Sequence, residues 1–103
     1  MVINKYELMV MLHPETDDER RAEIHGRIRT TVEGEGGAIV GLDDWGRKKL
    51  AYEIDGQKEG LYSVHTFTAE PATVQEIERQ LGITDEVLRF MTTRTPVRTA
   101  KSE

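Results

Sequence analysis

The chain has 103 residues, with 14 Lys and Arg against 19 Asp and Glu, a formal net charge of −5 and a hydrophobic fraction of 37%. This length is typical of one compact domain and is too short for two. The sequence has no cysteine, which excludes disulfides and thiolate chemistry, and no long apolar run or signal-peptide core, so we expect a cytoplasmic protein without a membrane segment.

The first predicted elements are a strand and a helix. Apolar residues alternate with others from Tyr6 to Leu12, which predicts a strand whose even-numbered side chains face the core. Thr16 and Glu19 have the spacing of a capping box, in which a hydroxyl and a carboxylate satisfy the free backbone N–H groups of a helix start. We therefore expect a helix over roughly residues 17–33.

The middle of the chain predicts a long hairpin. Residues 38–42 and 50–54 are typical of extended structure, and the Asp-Asp-Trp-Gly segment at 43–46 is typical of a bulge or bend between them. Residues 55–60 are rich in turn formers. We expect one interrupted strand that folds back, antiparallel, onto a strand at 61–69.

The last third predicts a short helix and a final strand. Thr73 and Glu76, after Pro71, repeat the capping-box spacing, and Gly82 is typical of a helix end. Residues 86–95 combine apolar residues with β-branched threonines, which favours a strand. Residues 97–103 are polar, and we expect a tail there that is mobile when unbound.

The element order β-α-β-β-α-β predicts an α+β fold of the ferredoxin-like, split βαβ type. This is a four-stranded antiparallel sheet with two helices on one face, formed here by a domain over residues 1–96, with the tail at 97–103. The helices leave the opposite sheet face uncovered. We expect function on that face.

Enzymatic and metal chemistry are not indicated. The sequence has no recognisable spacing for a nucleophile with its base or for an opposed carboxylate pair. His13, His25 and His65 fall on three separate predicted elements without the spacing of a zinc motif. We therefore expect no enzyme activity, no cofactor, no metal and no small-molecule substrate.

Basic residues on two predicted strands are candidates for nucleic-acid contacts. Residues 47–49 are Arg-Lys-Lys, between Trp45 and Tyr52, which combines charge for phosphates with rings that can stack on bases. A solvated strand edge, where lysine prevents aggregation, explains this triplet equally well. Arg89 and Arg94 on the final strand favour the RNA interpretation.

A family resemblance appears in the same region. Residues 42–54, Leu-Asp-Asp-Trp-Gly-Arg-Lys-Lys-Leu-Ala-Tyr-Glu-Ile, resemble the signature of the bacterial small-subunit ribosomal protein six family. The Tyr-Glu pair at 6–7, the His-Pro pair at 13–14 and the segment 85–95 are similar to the same family in the same order. The resemblance covers nearly the whole chain.

The resemblance implies a structural protein of the small ribosomal subunit. It implies binding to the central domain of small-subunit ribosomal RNA together with small-subunit ribosomal protein eighteen during assembly. A basic partner would let an acidic protein share an RNA surface. A ligand-sensing regulatory module of the same fold stays open as the alternative. The positions that the resemblance assigns to RNA are Lys5, Arg47, Lys48, Lys49, Arg89 and Arg94, with Trp45 and Tyr52 at a partner interface.

Overall fold

The computed structural model describes residues 3–54 and 56–95. Four strands pair antiparallel in the order β2-β3-β1-β4. This topology confirms the predicted ferredoxin-like fold, while the expected tail at 97–103 lies outside the described residues. No helix in the described part of the chain is long and apolar enough to cross a membrane. The elements are β1 (Asn4–Leu12), α1 (Asp18–Gly34), β2 (Ala38–Ile54), β3 (Gln57–Ala69), α2 (Pro71–Gly82) and β4 (Val87–Thr95).

The core lies between the two helices and one face of the sheet. Every even-numbered residue of β1 from Tyr6 to Leu12 is buried, as the alternation predicted, and Phe67 of β3 packs beside Tyr6 with ring centroids 5.8 Å apart. Both helices contribute apolar residues to this one cluster, so both pack on the same sheet face. The helical members are Ile24, Ile28, Val32, Val74, Ile77 and Leu81.

The first helix starts one residue later than the capping-box pattern predicted. Its N-cap is Asp17, whose carboxylate accepts a hydrogen bond of 2.8 Å from the backbone N–H of Arg20. The prediction of Thr16 as the cap is therefore wrong. Asp is at least as good an N-cap as Thr, and its charge interacts favourably with the helix dipole.

The second predicted capping box is also wrong. Helix α2 begins at Pro71, and its N-cap Glu70 makes no side-chain capping bond. Thr73 instead lies inside the first turn with its side chain buried. Proline is well suited to the first helical position, because its fixed φ is already helical and its missing N–H has no acceptor there.

Strand β2 is a single strand whose register against β3 shifts at three places, two of which are single-residue bulges. Val40 and Trp45 are extra residues opposite β3, where the register steps by one. The second bulge falls inside the interruption predicted at residues 43–46. Both bulges lie on an edge strand, where they twist the backbone and hinder pairing with another chain.

Two histidines from different elements meet beneath the sheet. His25 of α1 and His65 of β3 form an edge-to-face pair with ring centroids 4.9 Å apart, and His65 Nε2 lies 3.0 Å from Ser63 Oγ. Burial lowers the pKa of His65 to about 4, with a further contribution from His25, while Asp44 acts in the opposite direction. Burial also lowers the pKa of His25. Both imidazoles are therefore neutral at pH 7.

Gly37→Ala should destabilise the fold, whereas Gly26→Ala should not. A Cβ at position 37 would press against the backbone carbonyl oxygen of Thr68 and lie 3.1 Å from Val32, while position 26 has open space around it. We expect Gly37→Ala to lower the free energy of unfolding by about 1–3 kcal/mol. Helix propensity should make Gly26→Ala neutral or up to about 1 kcal/mol more stable. Urea unfolding of both variants measures this, and equal stabilities would contradict the packing around Gly37.

Acid should weaken the fold through the buried histidine pair. Because the folded-state pKa of His65 is lowered, the unfolded chain binds more protons as pH falls from about 6.5 towards 4, and the loss levels off below about 4. We expect the free energy of unfolding to be about 1–2 kcal/mol lower at pH 5 than at pH 7.5. The lowered carboxyl pKa values of Glu76 and Glu86 add a loss only at lower pH.

Urea titrations at the two pH values measure the effect. His65→Gln removes the titrating ring, so its stability should change less than that of the wild type over this interval. An equal change in both proteins would assign the pH dependence to other groups.

Candidate nucleic-acid interface

The predicted basic residues lie at two ends of the sheet. Lys5 is at the start of β1, and Arg94 of β4 pairs with Tyr6, the next residue of β1. Arg89 pairs with Met11, six residues beyond Lys5, which is about 20 Å at the rise of a strand. The six residues therefore do not form one cluster, since Lys5 and Arg94 lie apart from Arg89.

The β2–β3 hairpin extends past the end of β1. Leu12, the last residue of β1, pairs with Leu61. The part of β3 that precedes Leu61 is therefore not paired with β1. We call this extension, residues 48–54 and 56–60, the β-arm. Lys48 and Lys49 belong to the β-arm, and Arg47 stands at its base.

The β-arm curves towards β4. Arg89 Nη1 of β4 donates a hydrogen bond of 3.1 Å to Tyr52 Oη of the β-arm. Strands β2 and β4 are the opposite edges of the sheet and are separated by two strands, a distance of about 14 Å. Gly60 permits the close approach at the base, because a Cβ there would lie 2.6 Å from Met11 Cγ. The curvature brings Arg89 together with the β-arm.

Arg47 is committed to the protein itself. Its guanidinium donates to the Glu59 carboxylate at 3.1 Å and to the Pro14 carbonyl oxygen at 3.2 Å. These bonds tie the base of the β-arm to the loop before α1. Lys48 and Lys49 are exposed, and neither makes a salt bridge with any residue that the structure describes. The two lysines, not Arg47, are the groups of the triplet that are available for phosphates.

The two aromatic residues of the predicted interface are both on the surface. Trp45 is 51% exposed at its bulge, and Tyr52 is 65% exposed on the β-arm. Exposed large aromatic rings are available for stacking or for contacts with a partner. Their roles stay predictions.

The uncovered sheet face carries an apolar band that the sequence reading did not identify. Val64, Met9 and Met91 form a row across three strands, with Tyr62 and Met11 in the next row. Met91 is 48% exposed, whereas Met11 is buried beneath the base of the β-arm. The methionines at odd-numbered positions of β1 were the available signal. We call this surface the open face.

Within residues 3–54 and 56–95, no group of three or more His, Asp or Glu side chains could hold a metal ion. The close approach of His25 and His65 could not be predicted from spacing, because these residues are on different elements.

Arg47→Gln should loosen the β-arm, whereas Lys48→Gln should not. Both substitutions remove one positive charge, but only the first breaks the bonds to Glu59 and Pro14. We expect amide hydrogen exchange at residues 56–60 to be several-fold faster in Arg47→Gln, because these amides open locally. Native-state exchange followed by NMR measures the difference. Unchanged exchange in Arg47→Gln would show that these bonds do not hold the β-arm.

Comparison with known proteins identifies the family. The family model described as Ribosomal protein S6 matches residues 5–94. A protein of Carboxydothermus hydrogenoformans named small ribosomal subunit protein bS6 is 41% identical over 93 residues, covering 90% of this chain and 97% of that protein. The protein of the same name from Nocardia farcinica is 48% identical over 84 residues, covering 82% of this chain and 88% of that protein.

Solved structures agree. The crystal structure of 30S ribosomal protein S6 from Thermotoga maritima has a TM-score of 0.84 and 30% identity, covering 91% of this chain and 89% of that chain. The C-terminal domain of the MgtC protein from Mycobacterium tuberculosis has a TM-score of 0.62 at 11% identity, covering 96% and 95%, which is a likeness of fold alone. The sequence matches and the structure together show that this chain belongs to the ribosomal protein S6 family.

Proposed function

We propose that this chain binds the central domain of small-subunit ribosomal RNA jointly with small-subunit ribosomal protein eighteen, as a cytoplasmic assembly and scaffold protein. Its family makes it a structural constituent of the small ribosomal subunit and not an enzyme. The observation that carries the RNA proposal is the hydrogen bond that joins Arg89 to the β-arm, the segment on which Lys48 and Lys49 are exposed, in a chain whose net charge is −5.

The basic residues divide into contact and positioning roles. Lys48 and Lys49 are exposed, and Arg89 uses one N–H on Tyr52, which leaves the other guanidinium donors for phosphate oxygens. Arg47 holds the base of the β-arm. Lys5 and Arg94 lie at the far end of the sheet on opposite faces, since Arg94 pairs with the core residue Tyr6 and Lys5 alternates with it. Phosphate contacts of this kind orient RNA by its backbone without reading its sequence.

The acidic charge of the chain favours a shared RNA surface. Phosphate binding becomes stronger with each lysine or arginine that displaces a counterion, so three or four such contacts give weak binding on their own. A basic partner is attracted to the acidic remainder of the chain and brings its own phosphate contacts. Protein eighteen is the partner that the family resemblance implies, and exposed Trp45 is the residue that we assign to its interface.

The ligand-sensing alternative has weaker support. Such a module needs an enclosed pocket for a metabolite, and the family to which this chain belongs is one of structural proteins. A dimer that binds a metabolite saturably and does not bind RNA would favour this alternative.

Binding of a central-domain ribosomal RNA fragment, with and without protein eighteen and across a salt series, tests the proposal. We expect salt-sensitive binding that appears or strengthens with the partner. The double variant Lys48→Gln, Lys49→Gln should flatten the slope of log affinity against log salt by about 1.4–1.8, because two phosphate contacts are lost, whether to single-stranded or to duplex RNA.

Arg29→Gln is the matched control for charge, since Arg29 is exposed on α1, on the helical side of the sheet. Its slope should equal that of the wild type. Binding that is absent both with and without the partner would refute the RNA proposal, and an unchanged slope in the double variant would refute the assignment of the two lysines.

A further inference from the structure

The β-arm contains a cavity of about 390 Å³. It arises from the hairpin's own geometry, because regular pairing stops after Lys49 opposite Glu59 and resumes only at Ile54 opposite Gln57. Four residues of β2 therefore stand against one of β3, and the two strands separate. The cavity is lined by Lys49, Leu50, Tyr52, Glu53, Lys58 and Glu59.

The ring of Tyr52 is fixed at one end and exposed over most of its surface. Its hydroxyl accepts the hydrogen bond from Arg89, and 65% of the residue is exposed to solvent. A ring held in this way loses little conformational freedom when another ring stacks on it. Stacking on an aromatic side chain is the usual way in which proteins bind a base that has left its helix.

Two lysines reach the cavity from opposite strands. Lys49 comes from β2 and Lys58 from β3, and both are exposed. Their ammonium groups are donors for phosphate oxygens, while the Glu53 carboxylate can accept hydrogen bonds from the amino groups of a base. Glu59 is already engaged by Arg47. The lining therefore offers a stacking surface, a phosphate contact and an acceptor at one place.

We propose that this cavity binds one unpaired nucleotide of RNA, with its base on the Tyr52 ring and its phosphate between Lys49 and Lys58. The inference rests on the proposed RNA function and adds Lys58 to the contact set. The volume lies within the range of small-ligand sites, about 300–1,000 Å³. A base inside a duplex is stacked on its neighbours and cannot reach the ring, so the site takes a loop, a bulge or a single strand.

Two substitutions at the same position separate the stacking ring from the hydrogen bond to Arg89. Tyr52→Phe loses only the hydroxyl, whereas Tyr52→Ala loses the hydroxyl and the ring. With the central-domain RNA fragment and protein eighteen present, we expect Tyr52→Ala to bind on the order of tenfold or more weakly than Tyr52→Phe. Tyr52→Phe should stay within about threefold of the wild type, because the ring remains.

Lys58→Gln tests the phosphate contact. It should flatten the salt dependence of binding by about 0.7, the value for one contact to a single strand. Arg29→Gln on α1 removes the same charge outside the β-arm and should leave the slope unchanged. An unfolding temperature for each variant that matches that of the wild type confirms that the compared proteins are folded.

Zero-length ultraviolet crosslinking of the wild-type complex locates the nucleotide directly. Cleavage after Lys49 and Lys58 releases residues 50–58 as one peptide containing Tyr52, and mass spectrometry should find a nucleotide on that tyrosine. If the wild type binds RNA but Tyr52→Ala and Tyr52→Phe bind it with equal affinity, the nucleotide site alone is overturned. Crosslinks found only outside this peptide in the wild-type complex would have the same consequence. Wild-type protein that binds no RNA in either condition would overturn the proposed function together with the site.

Discussion

Strand β1 determines the arrangement of the rest of the molecule because it is hydrogen-bonded on both sides. It pairs with β3 and β4 over nearly its whole length, and its even-numbered residues form the centre of the core. The same alternation sends its odd-numbered residues to the open face. The register of one strand therefore decides both which side chains are buried and how far apart Lys5 and Arg89 lie.

The protein combines an acidic composition with a small, shaped basic region. Most of its ion pairs are on the surface and contribute little to stability. Hydrogen bonds to Glu86 and Glu23 raise the pKa of Arg20, whose side chain is only partly buried. The β-arm and Arg89 place basic side chains at one end of the sheet, next to Glu53 and Glu59, in a chain whose net charge is −5.

Much of the fold could be predicted because local patterns and tertiary packing agree. The alternation in β1, the bulge near Trp45 and the order of the six elements all appear in the structure. The helix starts were wrong because several cap-forming residues are adjacent, and geometry selects among them: Asp17 replaces Thr16, and Pro71 starts its helix without a side-chain cap.

The candidate site was only partly predictable. The basic triplet and Arg89 could be recognised from residue type, but the role of Arg47 could not, since its acceptors Glu59 and Pro14 are determined by tertiary structure. Lys58 was missed because a single lysine in a turn-rich segment has no distinguishing pattern. The curvature that joins Tyr52 to Arg89 depends on contacts between opposite edges of the sheet, which no local pattern encodes.

The pairing of β1 with β4 also constrains how the chain can fold during its own synthesis. These strands are far apart in the sequence, with Lys5 paired to Thr95, so the sheet cannot close until β4 has emerged. The β2–β3 hairpin needs only neighbouring residues and can form while translation continues. A nascent chain would therefore expose an unpaired edge of β1 until translation of the last strand.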